Sequence, residues 1–214
     1  MALVATLARL VLDAVAPLRC AACDQVSSKP ICTACTDVLA AQRGPAPIEL
    51  PFGTASAAFT FEAEVREVLH RGKFQGNRAA LAQLARLAAG RLELSSLTPP
   101  DAIAAVPLGA RRRRQRGYNQ AEVVASVFAE VAGLPMPAGL VRQRETAPQA
   151  SRGEEARRAN VAGAFTWRGP ELWGTELWLV DDVLTTGATL AGAASVLRAA
   201  GARRVDALVI ACVP

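Results

Sequence analysis

The order of apolar and polar positions after residue 100 predicts strands that alternate with helices. Short apolar runs, typical of buried strands, are separated by segments in which apolar residues recur every three or four positions, as in amphipathic helices. The predicted elements are a strand at 102–108, a helix at 119–132, strands at 140–142 and 177–181, a helix at 189–200 and a strand at 205–212. Because strands joined by helices pair in parallel, we expect an α/β fold with a parallel sheet and with ligands at the strands' carboxyl ends.

The first hundred residues show a different pattern, with helices and a proline-rich break. The predicted elements are a helix at 2–15, a cysteine-containing module to about residue 41, a linker at 44–51, a strand at 55–61 and helices at 62–69 and 78–94. We therefore expect two units in this 214-residue chain, an N-terminal helix and module over residues 1–50 and an α/β domain over residues 51–214.

Composition and charge restrict the class of protein. No uncharged apolar run reaches the ~18–20 residues that a membrane-spanning helix needs. The apolar segment at 2–16 carries Arg9 and Asp13 and lacks the basic start of a signal peptide, so we expect neither a membrane span nor a leader. The formal net charge is +5, and almost every basic residue is arginine, since Lys29 and Lys73 are the only lysines.

Four cysteines form two Cys-x2-Cys pairs near the N-terminus, Cys20 with Cys23 and Cys32 with Cys35. Two such pairs can surround one tetrahedral Zn²⁺ with four thiolates, and four protein ligands leave no open position, so a structural zinc is predicted. Two disulfides or a redox-active pair are the alternatives, although a redox motif needs only one pair. Thiolate ligands require a reducing compartment, so we expect a cytoplasmic protein.

The most informative motif follows the strand predicted at 177–181, where Asp181 and Asp182 stand side by side. After them come the residues expected to surround a phosphate: Val183, Leu184, Thr185, Thr186, Gly187, Ala188 and Thr189. Gly187 permits a tight turn with inward N–H groups, and the positive end of the following helix favours an anion at the same place. The two carboxylates can accept hydrogen bonds from sugar hydroxyls or help hold a divalent cation. The motif therefore predicts a site for a phosphorylated ribose.

This motif resembles the signature of the type I phosphoribosyltransferases, which bind 5-phosphoribosyl-1-pyrophosphate (PRPP). The resemblance implies that Asp181 and Asp182 form the catalytic pair at the ribose and that Mg²⁺ binds together with PRPP. The alternative is an ordinary Asp-Asp turn between a buried strand and a helix.

An arginine run at 111–114, with Arg116, follows the strand predicted at 102–108. A phosphoribosyltransferase has its pyrophosphate loop at this position, so the resemblance implies that Leu108, Arg112 and Arg113 contact PRPP. A nucleic-acid-binding patch and a solvated turn remain alternatives, because arginine runs also bind phosphodiesters. Lys73 is a further candidate for a phosphate contact, although a lysine that lies along a helix surface is the simpler interpretation.

The two sites together resemble the ComF/GntX family, in which a zinc-binding module precedes a phosphoribosyltransferase-like domain. Segments at 70–76, 105–108, 116–120 and 144–165 also match that family's pattern. The resemblance implies a type I phosphoribosyltransferase fold and a role in DNA uptake during natural competence, with single-stranded DNA and a helicase-like translocase as partners. It also implies a loop that closes over PRPP, with the candidate residues Arg144, Thr146, Gln149 and Arg152; a surface loop held by its own ion pairs is the alternative.

We expect a PRPP-binding protein of the ComF type, and its precise activity is left open among several classes. The chain is a transferase acting on PRPP, a partner protein that binds nucleotides or single-stranded DNA without turnover, a DNA-binding module, or a purine or pyrimidine salvage phosphoribosyltransferase. In relatives that act on hypoxanthine or guanine, an aspartate directly before Thr-Gly serves as a base. Thr185 stands at that position, which argues against purine salvage.

Overall fold

The computed structural model describes residues 17–94, 99–143 and 163–213, so the helix predicted at 2–15 lies outside the described residues. The strands are β1 (Ile48–Leu50), β2 (Gly53–Thr60), β3 (Ala102–Ala105), β4 (Leu140–Arg142), β5 (Phe165–Trp167), β6 (Glu176–Leu184) and β7 (Arg204–Cys212). The helices are α1 (Thr33–Ala41), α2 (Ala63–Phe74), α3 (Arg78–Arg91), α4 (Ala110–Arg116), α5 (Gln120–Ala132) and α6 (Ala188–Ala199). Within these ranges no helix is both long and apolar enough to cross a membrane.

Five strands form the main sheet in the order β1-β2-β7-β6-β3. Strands β2, β7, β6 and β3 run parallel, and β1 pairs antiparallel with β2 at one edge. The prediction of an α/β fold with a parallel sheet is confirmed. The carboxyl ends of β3 and β6 consequently lie side by side.

Helices cover both faces of the sheet, which explains why its central strands are apolar on both sides. In β7, Leu208 and Ile210 pack into one core with α3 and α5, whereas Val205, Ala207 and Val209 pack into the other core with α6. This alternation is the period of two expected for a strand.

The cysteine-containing segment shares a hydrophobic core with the sheet. Ile31 and Leu39 are fully buried in the same cluster as Phe59 of β2. Gln83 of α3 fixes the contact, because its side-chain amide accepts a hydrogen bond from the N–H of Ile31 and donates one to the carbonyl of Ile31, both at 2.9 Å. This part of the chain therefore depends on α3 for its packing.

Two predictions about strands are wrong. The segment Leu140–Arg142 does not join the main sheet, because β4 pairs antiparallel with β5 in a separate two-stranded sheet. All three residues of β4 are half-buried, whereas a strand inside a parallel sheet is apolar on both faces. The predicted linker at 44–51 contains β1, because Ile48 and Leu50 pack against the core around α6.

Two element boundaries and one element type near the carboxyl ends of the strands also differ from the prediction. Helix α2 continues to Phe74 instead of ending at Leu69, and strand β6 continues to Leu184 and includes both aspartates. The arginine run forms helix α4 rather than a loop, and this helix ends at Gly117, whose φ is 75°. A left-handed glycine is a common helix terminator.

Gly187 offers a test of the turn between β6 and α6. Its φ is 72°, and a Cβ at this position would lie 3.1 Å from Cδ2 of Leu50. We expect Gly187→Ala to lower the free energy of unfolding by ~1–2 kcal/mol, because a left-handed conformation costs an L-residue about that much. Urea denaturation measures the change.

Gly90→Ala is the matched control, because Gly90 lies in α3 and no heavy atom would lie within 4 Å of its Cβ. There we expect the free energy of unfolding to rise by ~0.5–1 kcal/mol, the usual gain of alanine over glycine inside a helix. Equal effects of the two substitutions would show that the turn places no special demand on Gly187.

Candidate functional site

A pocket of about 150 Å³ lies at the carboxyl ends of β3 and β6. It is lined by Lys73, Val106, Pro107, Leu108, Arg112, Arg116, Asn119, Gln120, Ala121, Arg142, Asp181, Asp182 and Thr189. Four of these side chains are cationic and two are acidic, and they come from α2, α4, β4 and β6. The predicted ligand-binding edge of the sheet thus gathers charges from distant parts of the chain.

Asp181 and Asp182 both lie inside β6, whereas the sequence predicted that the strand would end at Asp181. Asp181 is in register with Val209 of β7, and the pairing continues through Leu184, which is 3% exposed. The strand is extended because the apolar residues Val183 and Leu184 can still pack on the sheet. The phosphate turn therefore begins at Thr185, and Val183 and Leu184 precede it.

The two carboxyl groups have different surroundings. A carboxylate oxygen of Asp181 accepts a hydrogen bond from the N–H of Asp182 at 2.8 Å. Burial raises the pKa of Asp181, and the charge of Asp182 raises it further, while Lys73 and Arg142 act in the opposite direction. Asp182, only 8% exposed, forms an ion pair with Lys73, whose Nζ lies 2.9 Å from Oδ2.

Only part of the arginine run faces the pocket. Arg112 and Arg116 line it, and Nη1 of Arg116 donates a hydrogen bond to Oε1 of Gln120 at 2.9 Å. Burial lowers the pKa of Arg116, an effect that Asp182 opposes. Arg113, a predicted pyrophosphate contact, points elsewhere and pairs with Glu122 of α5 at 2.7 Å.

The beginning of α5 forms another wall of the pocket. Oδ1 of Asn119 accepts a hydrogen bond from the N–H of Ala121 at 3.2 Å, and its Nδ2 donates to the carbonyl of Val106 at 2.9 Å. Asn119 thus caps the helix and fixes it to the end of β3. The next residue, Gln120, is 2% exposed, and its Nε2 has no hydrogen-bond partner within the described ranges.

These residues of α5 were not among the predicted site residues. The only available signal was the segment at 116–120, which matches the ComF/GntX pattern but shows no ligand-binding spacing of its own. Lys73 was a candidate for phosphate, whereas the structure places its ammonium against a carboxylate.

The turn between β6 and α6 lies next to the carboxylates. Thr189 lines the pocket, Thr186 and Ala188 are half-buried, and Thr185 is exposed. Gly187 is the N-cap residue of α6 and has no side chain that could accept hydrogen bonds from the first backbone N–H groups of the helix. Such a helix N-terminus attracts anions.

The remaining residues predicted for PRPP have mixed outcomes. Leu108 lines the pocket. The loop candidates Arg144, Thr146, Gln149 and Arg152 lie outside the described residues, and their role stays a prediction.

The four predicted metal ligands form a compact cluster. The Sγ atoms of Cys20, Cys23, Cys32 and Cys35 all lie within 4.8 Å of one another, so they can hold one metal ion. None of them forms a disulfide. Backbone N–H groups point at the sulfurs, with the N–H of Cys32 3.3 Å from Sγ of Cys20. Burial raises the pKa of Cys20, but hydrogen bonds from these N–H groups lower it overall, and burial raises the pKa of Cys35.

Comparison with known proteins gives sequence relatives but no match to a protein-family model. Among solved structures, the chain is similar to glutamine PRPP amidotransferase from B. subtilis, with a TM-score of 0.43 and 22% identity over 62% of this chain and 26% of that chain. Orotate phosphoribosyltransferase from Aeropyrum pernix gives a TM-score of 0.36 and 21% identity over 81% of this chain and 78% of that chain. These scores are too low to support a functional conclusion.

Two kinds of sequence relative are more informative. The DNA utilization protein YhgH of Salmonella typhi is 34% identical over 144 residues, which is 65% of this chain and 63% of the relative. Competence protein F of Haemophilus influenzae is 32% identical over 146 residues, or 65% of this chain and 64% of the relative. The chain thus spans slightly less than two thirds of the length of these relatives. Together with the cysteine cluster and the parallel sheet, they confirm that this chain is similar to the ComF-type competence proteins.

Proposed function

We propose that this chain binds PRPP or a closely related ribose 5-phosphate in the pocket at the carboxyl ends of β3 and β6. The observation that carries the proposal is the pair Asp181 and Asp182, which lies beside four cations and beside the N-terminus of α6. The carboxylates accept hydrogen bonds from the ribose hydroxyls, and the turn at 185–189 receives the 5-phosphate. This arrangement suits a ligand that has both a diol and anionic groups.

The pyrophosphate of PRPP would bind to Arg112 and Arg116. A second cavity, of about 460 Å³, adjoins the first, and Lys73, Arg112 and Arg116 line both. It provides the space that the smaller pocket lacks for a ligand of this size. Arg116 replaces Arg113 in this assignment, because Arg113 pairs with Glu122 instead.

Mg²⁺ fits this proposal as a companion of PRPP. Asp181 and Asp182 offer the carboxylate oxygens that Mg²⁺ prefers, and Mg²⁺ usually binds through one or two carboxylates together with substrate phosphates. The ion would neutralise part of the pyrophosphate charge. The residues of this chain bind and orient the ribose.

We propose that the protein binds PRPP without catalysing its turnover. We also propose that it acts in DNA utilisation in the cytoplasm. Thr185 stands where purine-salvage relatives have their aspartate base. The names of the relatives, DNA utilization protein and competence protein F, favour a role in handling incoming DNA. We propose single-stranded DNA and a helicase-like translocase as the partners in that process.

The four-cysteine cluster binds zinc in this proposal and has a structural role. Four thiolates close a tetrahedral coordination sphere, and soft sulfur ligands select Zn²⁺ over the oxygen-preferring cations. The cluster lies beside Ile31, which is fully buried, so the metal and the shared core stabilise the same segment.

Elemental analysis tests this zinc site. We expect one zinc per chain, and we expect Cys20→Ser with Cys35→Ser to lose it and to lower the melting temperature, because comparable peptides gain ~10–16 kcal/mol from structural zinc. Cys212→Ala is the control, because Cys212 lies in β7 and outside the cluster, and it should keep the full zinc content. A folded wild-type protein without metal would refute the assignment.

Removal of the two carboxylates tests the ribose site. We expect Asp181→Asn with Asp182→Asn to weaken the binding of ribose 5-phosphate by about tenfold or more, since hydrogen bonds to charged groups contribute ~1.5–3 kcal/mol. Titration calorimetry measures the affinity, and circular dichroism verifies the fold. Glu93→Gln with Glu130→Gln removes two exposed carboxylates outside the pocket and should leave the affinity unchanged. Unchanged affinity in the aspartate variant would mean that these residues do not bind the sugar.

Substitution of two different pairs of arginines distinguishes pyrophosphate binding from nucleic-acid binding. We expect Arg112→Gln with Arg116→Gln to weaken PRPP binding by at least about tenfold, because each lost charge-assisted contact contributes ~1.5–3 kcal/mol and a glutamine replaces only part of it. Ribose 5-phosphate should be affected much less, since it lacks the second anionic group. Arg113→Gln with Arg114→Gln removes the same charge from residues that do not line the pocket and should leave PRPP affinity intact.

The same variants are titrated with single-stranded DNA at several salt concentrations. If the first pair bound DNA phosphates instead, its loss would reduce the salt slope by roughly 0.7 for each contact. Loss of DNA binding with full retention of PRPP affinity would move the arginine helix from the pyrophosphate site to a nucleic-acid interface.

A further inference from the structure

Three consecutive residues near the end of α2 contact three different parts of the protein. Nη1 of Arg71 lies 2.7 Å from Oδ1 of Asp24 and 3.4 Å from the carbonyl oxygen of Cys20. The carbonyl of Gly72 accepts a hydrogen bond from the hydroxyl of Tyr118. The Nζ of Lys73 lies 2.9 Å from Oδ2 of Asp182. The last turn of α2 therefore joins the cysteine cluster to the carboxylates of the pocket.

Polar contacts hold this turn, because the last buried apolar side chain of α2 is that of Leu69. The buried residues of α2 are Val65, Val68, Leu69 and Gly72, and none follows Gly72. Phe74, next to Lys73, is 66% exposed. A helix end without buried apolar side chains opens easily, so its position depends on whatever anchors it.

Arg71 is that anchor on the side of the cysteine cluster. Its side chain is 17% exposed, whereas that of Asp24 is 57% exposed. The hydrogen bond from Arg71 is the main reason that the pKa of Asp24 lies below its usual range. Asp24 itself directly follows the ligand Cys23 and has a φ of 63°, so its place is set by the turn between the two cysteine pairs.

We propose that the cysteine module positions the ligand pocket: through the Asp24–Arg71 contact it fixes the end of α2 and thereby holds the ammonium of Lys73 against Asp182. Arg71 is a positioning residue, and Lys73 is the pocket residue through which it acts. The consequence for ribose phosphate affinity rests on the proposed function. The consequence for Lys73 itself does not, because it is measured without any ligand.

The competing explanation is an exposed ion pair of no functional consequence, since most such pairs contribute only ~0–1 kcal/mol to stability. The two explanations differ in their effect on Lys73. If the pair is only a surface contact, its loss leaves the lysine where it is. If the pair positions α2, its loss releases an amine that lies two residues further along the helix.

The exposure of Lys73 can be measured by its chemical reactivity, because Lys29 and Lys73 are the only lysines of the chain. Lys29 is exposed within the cysteine module, and the side chain of Lys73 is 22% exposed in the pocket. Brief acylation with an amine-selective reagent, followed by peptide mass spectrometry, gives the reactivity of Lys73 relative to Lys29 in the same molecule. Metal content is determined on the same samples.

Asp24→Asn is the informative variant, because asparagine tolerates the left-handed conformation and lacks the charge. We expect the relative acylation of Lys73 to rise by about fivefold and the affinity for ribose 5-phosphate to fall by a similar factor, near the lower end of couplings between distinct sites. Metal content should stay at the wild-type value. Asp24→Glu, which keeps the charge, should restore part of the protection of Lys73.

Glu130→Gln is the matched control, because it also removes one carboxylate that pairs with an arginine of another helix, Arg86, at 3.6 Å. It should leave the reactivity of Lys73 unchanged. Equal reactivity in Asp24→Asn and in this control overturns the proposal. If Asp24→Asn loses metal, Arg71→Gln decides in its place, since it changes no residue of the cysteine module and should expose Lys73 to the same degree.

The two proposals fail in distinguishable ways. If the wild-type protein does not bind ribose 5-phosphate, the proposed function fails while the acylation result still supports or overturns the coupling. If ribose 5-phosphate binds but Lys73 keeps its protection in both variants, only the coupling fails.

Discussion

The ligand pocket depends on one constraint, the placement of two adjacent carboxyl groups at the end of a buried strand. A charge taken out of water costs several kcal/mol unless it is paired or hydrogen-bonded. This cost applies to Asp181 and Asp182, because β6 continues beyond them to Leu184 and keeps both residues within the sheet. The N–H of Asp182, within β6 itself, compensates part of this cost for Asp181, whereas the cations must come from other elements because β6 contains no basic residue.

The compensation explains much of the architecture around the sheet. Lys73 reaches Asp182 from α2, and Arg142 reaches the surroundings of Asp181 from the small second sheet. The two elements that carry these cations are held in place by different contacts. Helix α2 contacts the cysteine module and Tyr118, whereas β4 pairs with β5. The pocket is thus assembled from segments that are far apart in the sequence, and the proposed ligand, with several anionic groups, would meet cations that are already in place. Preorganisation of this kind reduces the cost of ordering side chains on binding.

The sequence was sufficient for the parts of the structure that follow from local periodicity and motif spacing. The parallel strands, the helices at α3, α5 and α6, and the four-cysteine cluster agree with the patterns that predicted them. The extension of α2 was missed because its last turn is polar and is held by tertiary contacts of Arg71 and Lys73, which no periodicity reveals. The unpartnered amide of Gln120 in the pocket was missed for a similar reason, since only the folded chain shows that this side chain is buried.

The arginine run shows how a wrong element assignment changes a functional interpretation. Four consecutive arginines in a loop cannot all face one ligand, which leaves their roles undefined. In helix α4, residues four apart lie on the same face, so Arg112 and Arg116 line the pocket together. Arg113 lies on another face and pairs with Glu122. Arginine is a good helix former, and Gly117 ends the helix directly before Tyr118, so the local sequence already favours this conformation. The helix therefore places two arginines in the pocket, where we propose that an anionic ligand binds, and it directs Arg113 to a different surface.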